Sequence, residues 1–443
     1  MESQIGYERL FDPQDIFFST TDLRGVIQNT NRTFDVLSRY SRERLIGSAH
    51  NIIRHLDMPA GLFRLMWDDL QAGRPVCAYV VNRAVDGLDY RVFATIVPLR
   101  DGFLSVRIKP MDVSTRTRVE EAYRRVRAKE RELAARAASR RQIGEYGAQE
   151  LSTELAALGF GSLHEMTEAA LPREVAALVA AGVRVPAAAP DVLGPVARIL
   201  STVAVIERET NALVYELDEY MRLIVAMEAA HDSIAAARGR IVRIGQLVSQ
   251  DGGGGARTRA QSLAERISEL SGTAGSELGG LPRRLHSMHE AVTRLRFAVA
   301  LMRLLTLMVG RFAQSILDGS EEGAVRSLTD LCEALESGVA DLGPVLRSVS
   351  TQVSELDDAL RVVTSSLDRA ARRLGQWVDA RSGNGVSGSP VVDEVASLAS
   401  QGFPEVRSLA QLAAECRGLG LPYDEAATTQ RLAAIRGALS ELS

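Results

Sequence analysis

Only three cysteines occur in the 443 residues, Cys77, Cys332 and Cys416. They lie far apart and show no metal-ligand spacing, which excludes a disulfide scaffold and fits a reducing, cytoplasmic compartment. The start, Met1-Glu2-Ser3-Gln4, has no basic region leading into an apolar run, so no secretory leader is expected. Long apolar runs are also lacking. A bilayer span takes ~20 apolar residues in a row, and the best candidates are interrupted. Phe297–Val309 is broken by Arg303, and Val175–Ile206 by Arg184, prolines and Arg198. No membrane span is expected. Charge of one sign is not in excess either: a net charge of −4 leaves no electrostatic footprint for nucleic acid. Enzyme signatures are missing. The glycines 252–255 are not followed by Gly-Lys-Ser/Thr, so they read as a flexible turn rather than a phosphate loop. His286-Ser287-Met288-His289-Glu290 is followed by no glycine-rich ATP module, and the chain is not expected to be an enzyme.

What is present is a dense polar cluster, His50-Asn51-Ile52-Ile53-Arg54-His55-Leu56-Asp57-Met58-Pro59, followed by Trp67. The chain has only six histidines, and two stand here. Polar groups this close together bind something or cap something. Upstream, Phe18 to Ile27 reads as strand, Asp/Gly turn, strand, and Asn29-Thr30-Asn31 supplies capping residues for a helix. Downstream, Met58 to Ala72 has a helical pattern. Three β-like runs follow, Val76–Ala84, Tyr90–Val97 and Phe103–Ile108, separated by Asp86-Gly87 and Asp101-Gly102 turns.

Two strands, short helices and three antiparallel strands form the order of a PAS sensor domain. The segment Phe18 to Pro110 resembles the FAD-holding PAS domain of bacterial aerotaxis receptors. The resemblance is carried by "STTDLRG", "NTNRTF", "HNIIRHLDMP", "MWDDLQAGRP" and "VNRAVDGLDYRV" in that order. It implies an FAD site formed by Asn31, His50, Asn51, Arg54, His55, Asp57, Trp67 and Asn82. In such a site Arg54, His55 and Asp57 contact the cofactor, a guanidinium or imidazolium stabilising the pyrophosphate or the reduced ring. Asn31 and Asn82 hydrogen-bond the ring edge, and Trp67 offers a stacking face. The alternative from the residues alone is that Asp57 caps the helix at Pro59, His55 is structural and Trp67 is core. Haem is the alternative cofactor, with His50 or His55 as axial ligand. Blue-light flavin chemistry needs a cysteine in an Asn-Cys-Arg-Phe context, and Cys77 stands in an unrelated strand.

After Val113 the composition shifts to Ala, Arg, Glu and Leu, and the rest reads as helical. Arg116 to Arg141 carries ten basic and four acidic side chains with Val119, Ala122, Val126 and Leu133 at seam spacing, an amphipathic helix leaving the PAS core with a solvated charged face. Three heptad runs follow: Ile199 to Ile234, with His231 on the seam as a polar layer, Leu285 to Ile316, and Leu328 to Trp377. Breaks at Gln250–Gly255 and Asp318–Ser320 suit a hairpin stack, and Pro344 is expected to kink or split the third helix. The fold class is therefore an α+β PAS domain followed by an all-α, long antiparallel coiled-coil or helical-bundle region. The expected divisions are 1–15 cap, 16–112 PAS, 113–143 exit helix, 144–195 connector, 196–380 bundle, 381–390 linker and 391–443 helical tail. A chemoreceptor tip of the type Gln-Thr-Asn-Leu-Leu-Ala-Leu-Asn is not found within 196–380. The expectation is a cytoplasmic redox or oxygen sensor, homodimeric through its coiled coil, relaying cofactor state to a protein partner; the competing class is a non-sensing PAS and coiled-coil adaptor.

Overall fold

A computed structural model of the chain describes residues 8–187, 193–250, 259–321, 324–382 and 390–442. The start of the chain, the glycines 252–255 and most of the 381–390 linker lie outside the described residues, as does the His231 side chain. The chain divides into two compact units, Met1–Leu213 with Arg296–Gly343 and Pro422–Ser443, and Val214–Leu295 with Pro344–Leu421.

In the first unit, five strands form one antiparallel sheet: β1 (Phe17–Asp22), β2 (Ile27–Thr30), β3 (Val76–Arg83), β4 (Asp89–Leu99) and β5 (Gly102–Ile108), in the order β2-β1-β5-β4-β3. The β1–β2 turn forms because the Asp22 carboxylate accepts from Arg24 N and Val26 N, each at 2.9 Å, while Gly25 takes φ 77°. A residue with a Cβ is strained at that φ, and a Cβ here would also come within 3.1 Å of the Trp67 ring. Helix α1 (Arg32–Ser38) starts where Asn31 Oδ1 accepts from Phe34 N. Helix α2 (Arg42–Leu45) and a 3-10 turn at His50–Ile53 lead to helix α3 (Ala60–Gln71). The expected strands and the helix after Pro59 therefore stand within a few residues of where the sequence places them.

Side chains alternate across a strand. Thr21, Val80, Asn82, Ala94, Ile96, Phe103, Ser105 and Arg107 share the inner face with α3. The outer face carries Phe18, Cys77, Tyr79, Phe93 and Thr95, and helices cover it, so every residue of β5 is buried. Phe18 stacks edge-on against Phe312 with centroids 5.1 Å apart. Three helices follow β5: α4 (Val113–Ala135), α5 (Arg140–Ala157) and α6 (Leu163–Ala180). From α6, Thr167 Oγ1 accepts from the backbone N–H of Cys77 at 2.9 Å, on the outer strand β3. Glu174, also on α6, accepts from Tyr79 OH at 2.9 Å and from Met111 N at 2.5 Å. The charge run of α4 resolves into ion pairs, among them Arg125–Glu154 and Lys129–Glu150 with α5.

Helices α7 (Pro195–Ala229), α8 (His231–Gln250), α9 (Arg259–Leu317) and α10 (Val325–Ser382) follow. The first heptad run is split at Ala230, so it forms two helices where the repeat suggested one. Helix α10 continues through Pro344, which does not split it, and every seam position from Leu328 to Trp377 is buried. In the second unit, α8 and the start of α9 form an antiparallel hairpin: Gly245 packs near Ser271 and Gly279 near Arg238. Helices α11 (Pro390–Gln401) and α12 (Pro404–Gly418) close this unit. Arg240 pairs with Glu405, Arg243 with Glu394, and the buried Asp357 of α10 with Arg417. Trp377, Val392 and Val395 share one core with Ile244, Leu247 and Ile267. Helix α13 (Glu425–Ser440) returns to the first unit, where Arg431 pairs with Glu209. Among the described residues no helix is long and apolar enough to cross a membrane.

Candidate functional site

Between the inner sheet face, the 3-10 turn and α3 lies a cavity of about 230 Å³. The strands deliver Asn82, Ser105 and Arg107 by their alternation. The turn delivers His50, Asn51 and Arg54, and one face of α3 delivers Phe63, Met66, Trp67 and Leu70. Arg54 is fixed at both ends. Its backbone forms an antiparallel bridge with Asn82, and its guanidinium carbon lies 3.4 Å from the centre of the Phe63 ring. Trp67 stands edge-on to Phe103, ring centres 5.3 Å apart.

Five of the eight residues expected at a cofactor line this cavity: His50, Asn51, Arg54, Trp67 and Asn82. The other three stand elsewhere, each for a visible reason. Asn31 uses its side chain to hold backbone, Oδ1 accepting from Phe18 N and Phe34 N while Nδ2 donates to Ile16 O. His55 turns towards Arg83 and Asp89: its Nδ1 accepts from Asp57 N at 3.1 Å, and its Nε2 lies 2.8 Å from Arg83 Nη2 and 3.4 Å from Asp89 Oδ2. His55 therefore does not line the cavity. Asp57 is exposed and pairs with Arg131 of α4, and it does not cap α3.

Arg107 is the residue that the sequence reading missed. It is buried, donates from one nitrogen to Ser19 Oγ at 3.2 Å and to Ser105 O at 3.1 Å, and from the other to His50 Nε2 at 2.5 Å. Its only signal is the single charged residue in the largely apolar run of β5, where a charge is out of pattern.

The electrostatics are one-sided. No lining residue is a carboxylate, and neither Arg54 nor Arg107 has an acidic partner among the described residues. Burial draws both guanidiniums down to about 10. His50 is held well below the ordinary histidine range by burial, then by the charges of Arg107 and Arg54, so it stays neutral and accepts from Arg107. Arg54 Nε, Asn82 Nδ2 and Ser105 Oγ are buried without a hydrogen-bond partner. Buried cations lacking a counter-charge and orphaned donors both cost stability unless something fills the space. An anionic, planar, hydrogen-bonding group matches that set. Cys77 takes no part, lying on the outer face beside Thr95 Oγ1, and burial pushes its thiol up to about 12.

No family model matches the chain. The chain is 39% identical over 99 residues to the aerotaxis receptor of Escherichia coli strain K12, a match covering 21% of this chain and 20% of that protein. It thus spans about a fifth of the length of that curated relative. Among solved structures, the PAS domain of a protein from Colwellia psychrerythraea is similar at 21% identity, over 21% of this chain and 86% of that one, with a TM-score of 0.19. A single-substitution variant of RsLOV is similar at 16% identity, over 34% of this chain and 91% of that one, with a TM-score of 0.22. The strand order, the helices on the inner face and the sequence match identify the N-terminal region as a PAS domain, similar to that of an aerotaxis receptor and followed by a long helical region.

Proposed function

We propose that this protein is a cytoplasmic, non-enzymatic redox sensor that binds FAD in the cavity of its PAS domain. The observation that carries this reading is the pair of guanidiniums on the cavity wall, Arg107 buried and Arg54 half-buried with its Nε enclosed, and no carboxylate beside them. When bound, a flavin supplies reversible electron transfer. Arg54 and Arg107 would stabilise negative charge on a reduced ring, which favours reduction. Asn82 Nδ2 and Ser105 Oγ would hydrogen-bond the ring edge, and Trp67 would close one side. The volume, below the ~300–1,000 Å³ of typical ligand sites, suits a ring system alone. The remainder of the dinucleotide would leave towards the rim, where Arg24 stands exposed in an ion pair with Asp22. The helical region would then carry the change to a protein partner, with the protein acting as a homodimer.

Purified full-length protein reconstituted with FAD should be yellow, with a flavin spectrum that bleaches on reduction. A Soret band would assign haem instead. Protein that stays colourless with FAD would remove the sensor reading in favour of an adaptor.

A further inference from the structure

Helix α3 has no cap of its own. Pro59 stands at its N-cap and offers no side-chain acceptor. The first two amides of the helix are instead taken by a residue seventy positions away on the exit helix. Glu130 Oε2 accepts from Ala60 N at 2.9 Å and Glu130 Oε1 accepts from Gly61 N at 2.8 Å. The Glu130 side chain is fully buried, and Arg127 Nη1 donates to it at 3.2 Å. Two neighbouring contacts join the same places: Arg131 pairs with Asp57, and Arg127 Nε donates to Leu56 O at 3.1 Å.

The fit leaves no slack. A Cβ on Gly61 would collide with the Gly147 carbonyl carbon of α5, and a Cβ on Gly147 would collide with Glu130 Oε1. Helices α3, α4 and α5 therefore meet at one point, Gly61, Glu130 and Gly147. A carboxylate on the first amides of a helix is a charge-assisted bond aided by the helix dipole. The same α3 supplies Phe63, Met66, Trp67 and Leu70 to the cavity.

We infer that Glu130 is a positioning residue through which the exit helix α4 reports the state of the cavity, by gripping the first turn of α3. A change in what Trp67 and Phe63 face shifts α3, and the grip passes that shift to α4. The inference rests on the sensor reading only for the identity of the group that fills the cavity. Coupling of this kind is reciprocal, so it is measurable without that group.

The test is amide hydrogen exchange on the full chain. In Glu130→Gln, the Ala60 and Gly61 amides should exchange about tenfold faster or more, as expected for loss of a charge-assisted bond. In a double-mutant cycle without cofactor, Trp67→Ala should alter exchange across residues 126–135 in the wild-type background. In the Glu130→Gln background that effect should be lost, a non-additivity of about threefold or more. Additive effects would overturn the inference. With flavin bound, reduction should change exchange across 126–135 in wild type but not in Glu130→Gln at equal flavin content; an unchanged response in the variant would equally overturn it. Protein that takes no flavin ends the sensor reading, and the cofactor-free cycle still decides the role of Glu130. Where Glu130→Gln does not fold, Glu130→Asp keeps the charge while withdrawing it from the two amides.

Discussion

Truncating Arg54 to alanine removes a guanidinium that is desolvated on the cavity wall and rests on Phe63. Loss of one charge-assisted hydrogen bond is worth ~1.5–3 kcal/mol, so flavin affinity should fall about tenfold or more, read by titrating the cofactor against apoprotein. Unchanged affinity in a folded Arg54→Ala protein would remove Arg54 from the site. His50 gives a pH signature. Its folded pKa is lowered, so the neutral ring is the native form. The stability from that preference is complete above the unfolded value near 6.5 and is lost as pH falls through and below it. His50→Gln, which cannot take up that proton, should lose less thermal stability than wild type between pH 7.5 and pH 5.5; parallel curves would contradict a buried neutral His50. Arg54 was legible in the sequence because it stands in a dense polar run. Arg107 was not, since its meaning depends on His50, a neighbour 57 positions away on the 3-10 turn that only the folded chain brings within reach of β5.

Helix α10 is the element whose burial was most legible, because an apolar repeat of 3.5 is a local signal. Leu360 sits on that seam in the second unit and is 1% exposed. Leu360→Asn should destabilise the helices by about 2–4 kcal/mol through a lost apolar contact and a buried amide. Flavin content should stay at the wild-type level, read beside the circular-dichroism melt. A variant that loses flavin together with helicity would show that the two units fold as one. Three details at this scale were illegible. The break at Ala230 falls in Met227-Glu228-Ala229-Ala230, with neither glycine nor proline to mark it. Pro344 was read as a kink or a break, yet the neighbouring Leu342 and Leu346 are buried and the helix continues through the proline. Glu130 left a trace: it fills the position four after Val126 and three before Leu133, a carboxylate on an otherwise apolar stripe. Among so many charges in α4 that trace is easily passed over.

At the scale of the whole molecule, the proposed homodimer predicts a light-scattering mass of twice the 48.0 kDa of one chain. A constant single-chain mass over a wide range of concentration would exclude it. The outer face of the sheet is covered by the protein's own helices, so self-association has to use other surfaces. The Thr167 hydroxyl of α6, set against β3, adds something of a different kind. It occupies the backbone N–H of Cys77 on a border strand, a place where an unpaired ladder would otherwise invite a foreign strand to extend the sheet. With the Arg54 backbone bridging Asn82 near the other end of the same strand, this border is occupied from within the chain and is poorly suited to accept a foreign strand.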